Sequence, residues 1–282
     1  MNSYLSSSSL KRIARGQLFG RLGTVIGAFL VHMLCVAPAF AVGFVILTFA
    51  GMLSASGNAV GYLTGLLTEL LLAFLISMYM AVFFYGEDFL YLKIAGGYDT
   101  YVSDLFQGFR ENFLKLMGCA LAPSVMITLG ALPFFVFFNR YIGEYLPHTD
   151  EFARLLFEND VTKLNDFVMQ FMPVIRPMRY ALYLLLFLML VTGVLFSQTF
   201  FLLADFGDLP AAGLYLENNR LMKGNHLRYL YVVMSFSLWF LLSLFSCIFI
   251  VAIWVFPYYK ATMANFYLDL LKTREEERQS GA

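Results

Sequence analysis

Few residues of this chain are of a type that does chemistry, and most of them sit in apolar surroundings. Glu69 is the one acidic residue well inside an apolar run, and Gly57, Gly61 and Gly65 precede it at four-residue steps. It therefore continues a helical face built for close approach by a neighbour. An isolated carboxylate is costly to keep ionised in hydrocarbon, so Glu69 must be neutral or paired. His32 is a candidate partner, because Ala28, Ala39 and Gly43 cluster around its direction in the preceding run; Lys260 and carbonyls freed at Pro38 are its rivals. A carboxylate so placed either couples protons or binds a ligand, or is a hydrogen-bonded structural residue. Gln198, Lys260, Thr262 and Asn265 are further polar groups in apolar stretches. They either cross-link helices or line a polar route. A second constellation, Arg220, Lys223, Asn225, His226 and Arg228, has the charge to hold lipid phosphates or a partner. Anchoring at an inner membrane face would explain it without a ligand.

Other chemistry finds little support. The sequence has no nucleophile elbow, P-loop or HExxH motif, so no catalytic residue is assigned and an enzyme is not expected. Cys35, Cys119 and Cys247 all fall in apolar runs, their number is odd and no CxxC occurs, which points to buried reduced thiols. His32, His148 and His226 lack ligand spacing, so neither a metal nor another cofactor is expected. With 19 basic and 19 acidic residues the net charge is zero, and nothing argues for nucleic acid.

The elements that must position these groups are membrane helices. The chain is 60% hydrophobic and 13% charged, where a soluble domain carries about 25% charge. Apolar runs at 22–53, 60–85, 113–138 and 177–204 are each long enough to cross about 30 Å of hydrocarbon. The final run from His226 would make one helix of about 67 Å, far too long for a single crossing. Two spans, 226–244 and 246–270, fit it, with a turn over Ser243–Ile248. The expected fold is an all-α polytopic membrane bundle of six transmembrane helices in one domain. A signal peptide, imitated by Ala39-Phe40-Ala41, fits less well because the apolar run continues beyond that point.

Short amphipathic helices precede three of the spans. Leu10, Ile13, Ala14 and Leu18 share one face while Lys11, Arg12 and Arg15 lie elsewhere. Tyr98, Tyr101, Val102, Leu105, Phe106, Phe109 and Phe113 recur at steps of three and four, predicting a second in-plane helix over 99–112. A third follows Asp208, read as its cap, with Pro210 in its first turn and Gly224 at its C-terminal end. The polar segment 139–172 places Leu164, Phe167, Val168 and Phe171 at helical spacing, as a structured cap or an interfacial helix. The surface-helix-then-span design recurs at 6–50, 98–138 and 208–244. Fourteen of the 19 basic residues fall on the side of the termini; Arg140, Arg154, Lys163, Arg176 and Arg179 fall on the other. The positive-inside rule then makes both termini and the in-plane helices cytoplasmic, and 139–172 extracytoplasmic.

FSQTFFLLADFGDL, NNRLMKGN, LSLFS and WVFPYYKATMANFYLDL, together with LKRIARGQ and FQGFRENFLK, resemble domain-of-unknown-function family 975 over nearly the whole chain. Gly207 stands where that family usually shows proline, and its glycines between the last two spans are missing here. The resemblance implies a Gram-positive bacterial integral membrane protein of the plasma membrane, and an architecture without an assigned activity. The reading that follows is a non-enzymatic envelope or lipid homeostasis factor that binds amphipathic lipids or peptides. Its partners would be the bilayer, anionic headgroups, and a membrane protein if one exists. The alternatives are a small-solute or ion transporter, which needs a polar path across the midplane, and an accessory subunit of a larger complex, which needs a broad apolar face.

Overall fold

The computed structural model describes residues 4–54, 58–145, 148–158, 161–245 and 248–280, and the regular structure among these residues is helical. Helix α1 (Ser7–Leu18) begins where the Ser6 hydroxyl accepts from the Ser9 amide, at 3.2 Å. It buries Leu10, Ala14 and Leu18 and leaves Ile13 outside the expected face. Gly20, at φ +85°, turns the chain into α2 (Leu22–Ser54). Helix α3 (Ala59–Ala95) follows, then α4 (Gln107–Arg110) and α5 (Phe113–Tyr145). Helices α6 (Thr149–Glu158) and α7 (Val161–Gln170) occupy the polar segment, and α8 (Met172–Leu195) and α9 (Thr199–Asp205) return from it. The rest is α10 (Ala211–Met222), α11 (His226–Met234), α12 (Ser237–Phe245) and α13 (Ile248–Ser280).

Among the described residues, four stretches are long and apolar enough to cross a membrane: Leu22–Ser54, Ala59–Ala95, Phe113–Tyr145 and Met172–Asp205. At 37 residues, α3 is about 55 Å long, so it does not end near Tyr85 as expected. It runs on through Gly86, Glu87 and Asp88. The absent side chain of Gly86 lets the Leu105 carbonyl lie against the helix, where an added methyl would collide with it. The fifth expected span is split into α11 and α12 at Ser235 and Phe236, and its apolar part is shorter than the other four. Of the expected turn, residues 246 and 247 lie outside the described residues, as does the structure around Cys247.

The predicted continuous helix over 99–112 is also corrected. A 3₁₀ turn, Val102–Phe106, leads into α4, and Asn112 at φ 57° breaks the chain before α5. The period-3.6 pattern is real, but its residues part company: Leu105 is fully buried with Val36 and Phe83, while Tyr101 is 63% exposed. At α10 the expected Asp208 cap is not formed. Pro210 holds the cap position at φ −69° without a side-chain hydrogen bond, because its ring presets that backbone angle. Gly224 takes the left-handed φ of +82° that its place after α10 predicted.

The helices divide into two compact units. The first holds Met1–Ala37, Met78–Ala122 and Gly193–Ala282. Its core joins Leu10 and Ala14 of α1, Leu90 and Ile94 of α3, Phe201 of α9, Leu214 of α10, and Ala264, Phe266 and Tyr267 of α13. The second holds Pro38–Ser77 and Pro123–Thr192. There α2 and α3 come so close that a methyl on Gly65 would strike the Ala50 carbonyl and Ser54, so the glycine face meets Ala50 and Ser54 rather than Ala39. Gly57 lies outside the described residues. Leu155, Phe167 and Phe171 of 139–172 form a small core with Tyr141 and Tyr145, so the polar segment is a pair of packed helices.

Gly86→Ala should destabilise the protein by about 1–3 kcal/mol through overpacking, whereas Gly193→Ala, in open space within α8, should stabilise it by about 0.5–1 kcal/mol. Detergent unfolding of the two variants beside the parent measures both; equal effects at the two positions would contradict the close packing at Gly86.

Candidate functional site

Three helices of the first unit bring four ionisable side chains together out of contact with solvent. Helix α2 supplies His32, α3 supplies Glu87 and Asp88, and α13 supplies Lys260; none is more than 9% exposed. Glu87 is the shared member. Its Oε1 meets His32 Nδ1, and its Oε2 lies 3.2 Å from Lys260 Nζ. Lys260 Nζ donates to Asp88 Oδ1 at 2.8 Å. The walls are aromatic: His32 stacks on Phe83 with ring centres 5.3 Å apart and planes at 11°, and the Lys260 ammonium lies 5.4 Å from the centre of Phe84 and 5.9 Å from that of Phe256.

Each charge here would be expensive alone in a low-dielectric setting, and each is tolerated because an opposite charge lies within contact. Two carboxylates and one ammonium leave one surplus negative charge. One further proton held in the His32–Glu87 contact cancels it. The cluster can therefore hold a proton between an imidazole and a carboxylate, and His32 Nε2 has no hydrogen-bond partner among the described residues.

Two of these four, His32 and Lys260, are candidates from the sequence, but the expected pairing of His32 with Glu69 is not formed. His32 takes Glu87. Glu69, fully buried in the second unit, accepts from Asn139 Nδ2 of α5 at 2.8 Å, and its Oε1 lacks a partner among the described residues. Lys260, the rival partner, is likewise committed to α3. Glu87 and Asp88 escape sequence reasoning because Gly86 reads as the end of a span. The signal was present on both sides of them: Phe83, Phe84 and Tyr85 before, Phe89, Leu90 and Tyr91 after, an apolar run that Glu87 and Asp88 interrupt without ending it.

Of the remaining polar candidates, Asn265 cross-links helices through its side chain. Asn265 Nδ2 donates to Gln17 Oε1 of α1 at 2.6 Å, and Gln17 Nε2 donates to the Ala95 carbonyl at the end of α3 at 3.2 Å. Gln198 is buried between α8 and α9, where its backbone N–H donates to Asn218 Oδ1 of α10 at 3.0 Å and its side-chain Nε2 donates to the neighbouring Ser197 hydroxyl at 3.1 Å. Thr262 donates within its own helix, to Tyr258. Among the described residues these bonds do not join Gln198, Asn265 and Lys260 into a polar route.

The basic constellation is largely spent on the protein itself. Arg228 pairs with Asp269, donates to the Leu5 carbonyl at 2.9 Å, and lies 4.6 Å from the ring centres of Tyr4 and Phe266. Arg220 is 3.6 Å from Glu217. Asn225 donates to the Tyr4 hydroxyl at 3.2 Å, His226 Nδ1 is buried without a partner among the described residues, and Lys223 is exposed. Tyr215 of α10 donates to the Cys119 carbonyl at 2.7 Å, and burial pushes its phenol up to about 12, keeping the donor proton in place. Burial likewise lowers Lys11, whose ammonium donates to the Ser235 carbonyl at 3.1 Å over the Phe236 ring.

With this geometry in view, the family model described as "Protein of unknown function (DUF975)" matches residues 1–274. The chain belongs to this family. No curated protein and no solved structure matches it. The segments that carry the DUF975 resemblance meet one another in the first unit: Tyr267 of NFYLDL donates to Asp205 of LLADFGDL at 3.0 Å, Asn265 reaches LKRIARGQ through Gln17, and Lys260 of PYYKAT reaches α3.

Lys260→Met should cost about 3–5 kcal/mol, because it leaves two buried carboxylates facing each other. Adding Asp88→Asn to that variant should recover part of the loss. Unfolding of the single and double variants in detergent tests this; a double variant no more stable than Lys260→Met would show that the lysine and aspartate do not compensate each other.

Proposed function

We propose that this protein is a multi-pass component of the bacterial plasma membrane that binds amphipathic lipids or peptides in envelope or lipid homeostasis and catalyses no reaction. The chain would cross the bilayer six times, α11–α12 and α13 supplying the last two crossings, with both termini and the in-plane helices cytoplasmic. Four crossings or six leave the termini on one side alike. The supporting observation is a contrast between polar and apolar space. His32, Glu69, Glu87, Asp88 and Lys260 are committed to one another or to Asn139, while the second unit holds an apolar pocket of 450 Å³ walled by Phe44, Thr48, Gly51, Phe134, Phe135 and Phe138. A hollow of that size and lining takes an alkyl chain more readily than a hydrated solute.

Native mass spectrometry of the protein released from mild detergent should show a retained amphiphile, reduced by Thr48→Trp, which fills the pocket. A parent protein carrying none would sink the proposal. For topology, a single cysteine at Glu151 should react with an impermeant maleimide on intact cells and one at Ser3 or Ser280 should not; labelling at the termini would reverse the orientation.

Ion or small-solute transport is favoured by one specific observation, the buried His32–Glu87–Lys260–Asp88 cluster, since such groups mark ion and proton pathways in membrane proteins. Proteoliposomes with an enclosed pH dye should then show a proton flux that Glu87→Gln abolishes, and parent vesicles as tight as empty ones would dismiss it.

A further inference from the structure

Several basic residues of the first unit are held by the protein itself, while two exposed ones without a carboxylate lie together on α1. Arg228 and Arg274 pair with Asp269 and Glu217, Arg220 lies near Glu217, and Lys93 pairs with Asp104. Lys11 is held by the Ser235 carbonyl and Arg21 by those of Ile94 and Gly97. Arg12 and Arg15 are both exposed on α1, and among the described residues neither forms an ion pair. The chain contains no acidic residue before Glu69, so the sequence around them offers no carboxylate.

Arg15 is nonetheless placed. Its guanidinium lies 5.7 Å from the centre of the Tyr258 ring, at the rim of a 210 Å³ pocket between the end of α1, the start of α2 and α13. Behind it the lining is apolar: Leu18, Phe19, Leu22, Ile253, Trp254 and Pro257. Phe19 is 87% exposed and Trp254 56%, so two large side chains stand uncovered beside one unneutralised cation. The pocket therefore asks for a ligand with an anionic head and an apolar tail. A guanidinium fork suits a phosphate, which it can hold by two parallel hydrogen bonds.

We propose that the pocket between α1 and α13 binds one anionic phospholipid, its phosphate on Arg15 with Arg12 adding to the local potential, and its acyl chain against Phe19, Leu22, Ile253 and Trp254. This rests on the lipid-binding reading above and names the headgroup and the site. The site differs from the Arg220–Arg228 constellation, whose arginines have their own carboxylates.

Trp254 reports on the pocket directly. In a Trp239→Phe background it is the sole tryptophan, and the protein can be reconstituted into vesicles containing phosphatidylglycerol or phosphatidylcholine with brominated acyl chains, which quench indole on contact. Brominated phosphatidylglycerol should compete for the site about five-fold better than brominated phosphatidylcholine, the preference one basic side chain gives near an anionic surface. Arg15→Gln should bring that ratio close to one, and Lys223→Gln should leave it unchanged. Arg15→Lys, which keeps the charge and loses the fork, should retain only part of the preference and serves if the glutamine variant does not fold. Equal quenching by the two lipids in the parent, or a preference that survives Arg15→Gln, overturns the site. Equal quenching alongside an amphiphile retained in mass spectrometry removes this site and leaves the broader reading; a preference at Trp254 without retention in the second unit's pocket does the reverse.

Discussion

A lysine buried among apolar helices needs an anion in contact with it, and that need organises the first unit. Lipid tails are as apolar as leucine, so the hydrophobic effect gives membrane helices little reason to choose one neighbour over another; close packing and polar contacts make the choice. Lys260 reaches Asp88 and Glu87, and Glu87 reaches His32, so one set of contacts fixes α13 against α3 and α3 against α2. Slipping any of the three helices by one turn, about 5.4 Å, would leave a charge without its counter-charge. The cluster therefore sets register as well as attachment, in the way a buried polar residue sets register in a coiled coil.

The same logic accounts for the smaller polar bonds. Gln17, Asn265 and the Ala95 carbonyl tie α1 to α13 and to the end of α3; Gln198 and Asn218 tie α10 to the junction of α8 and α9. Helix α1 consequently does more than lie on a lipid surface. Leu10 and Ala14 have no exposed area, so its apolar face is consumed by protein and its polar edge is left to deal with its surroundings. In the second unit glycine replaces charge as the means of selection: Gly65 against Ala50 and Ser54 brings α2 and α3 into backbone contact, and the Glu69–Asn139 bond adds α5 to the pair.

What the sequence could and could not reveal follows from the range of each interaction. Apolar length is a local property, so the membrane character and four long helices are legible from runs of residues, and the left-handed Gly224 is legible from its place after a helix. Partnership is not local. Glu87 and Asp88 find Lys260 some 170 positions later, and a reading that stops α3 at Gly86 loses half the cluster while naming the other half. The error has a physical origin: Gly86 is there for the Leu105 carbonyl, and glycine needed for close approach looks in sequence like glycine needed to end a helix. The 99–112 segment fails differently. Its spacing is helical throughout, but tertiary contact buries Leu105 from one side and Asn112 enters the left-handed region, so a regular pattern becomes a 3₁₀ turn and a short helix.

The basic residues carry the last step of the argument. Counted along the chain they show a bias between two sides, which concerns orientation; sorted by partner they separate arginines that build the fold from exposed ones on α1. A positive charge kept only for anchoring has no need of a carboxylate, yet half-buried Arg228 pairs with Asp269 and half-buried Arg274 with Glu217. Those arginines are parts of the fold, and lipid phosphates would have to displace an existing ion pair to reach them. Arg12 and Arg15 carry no such cost. A phosphate arriving at Arg15 gives up hydration and meets a cation already steadied on an aromatic ring, with apolar surface beside it for the tail. Free charge next to uncovered apolar area, rather than the density of basic residues in the sequence, is what distinguishes a headgroup site from an anchor.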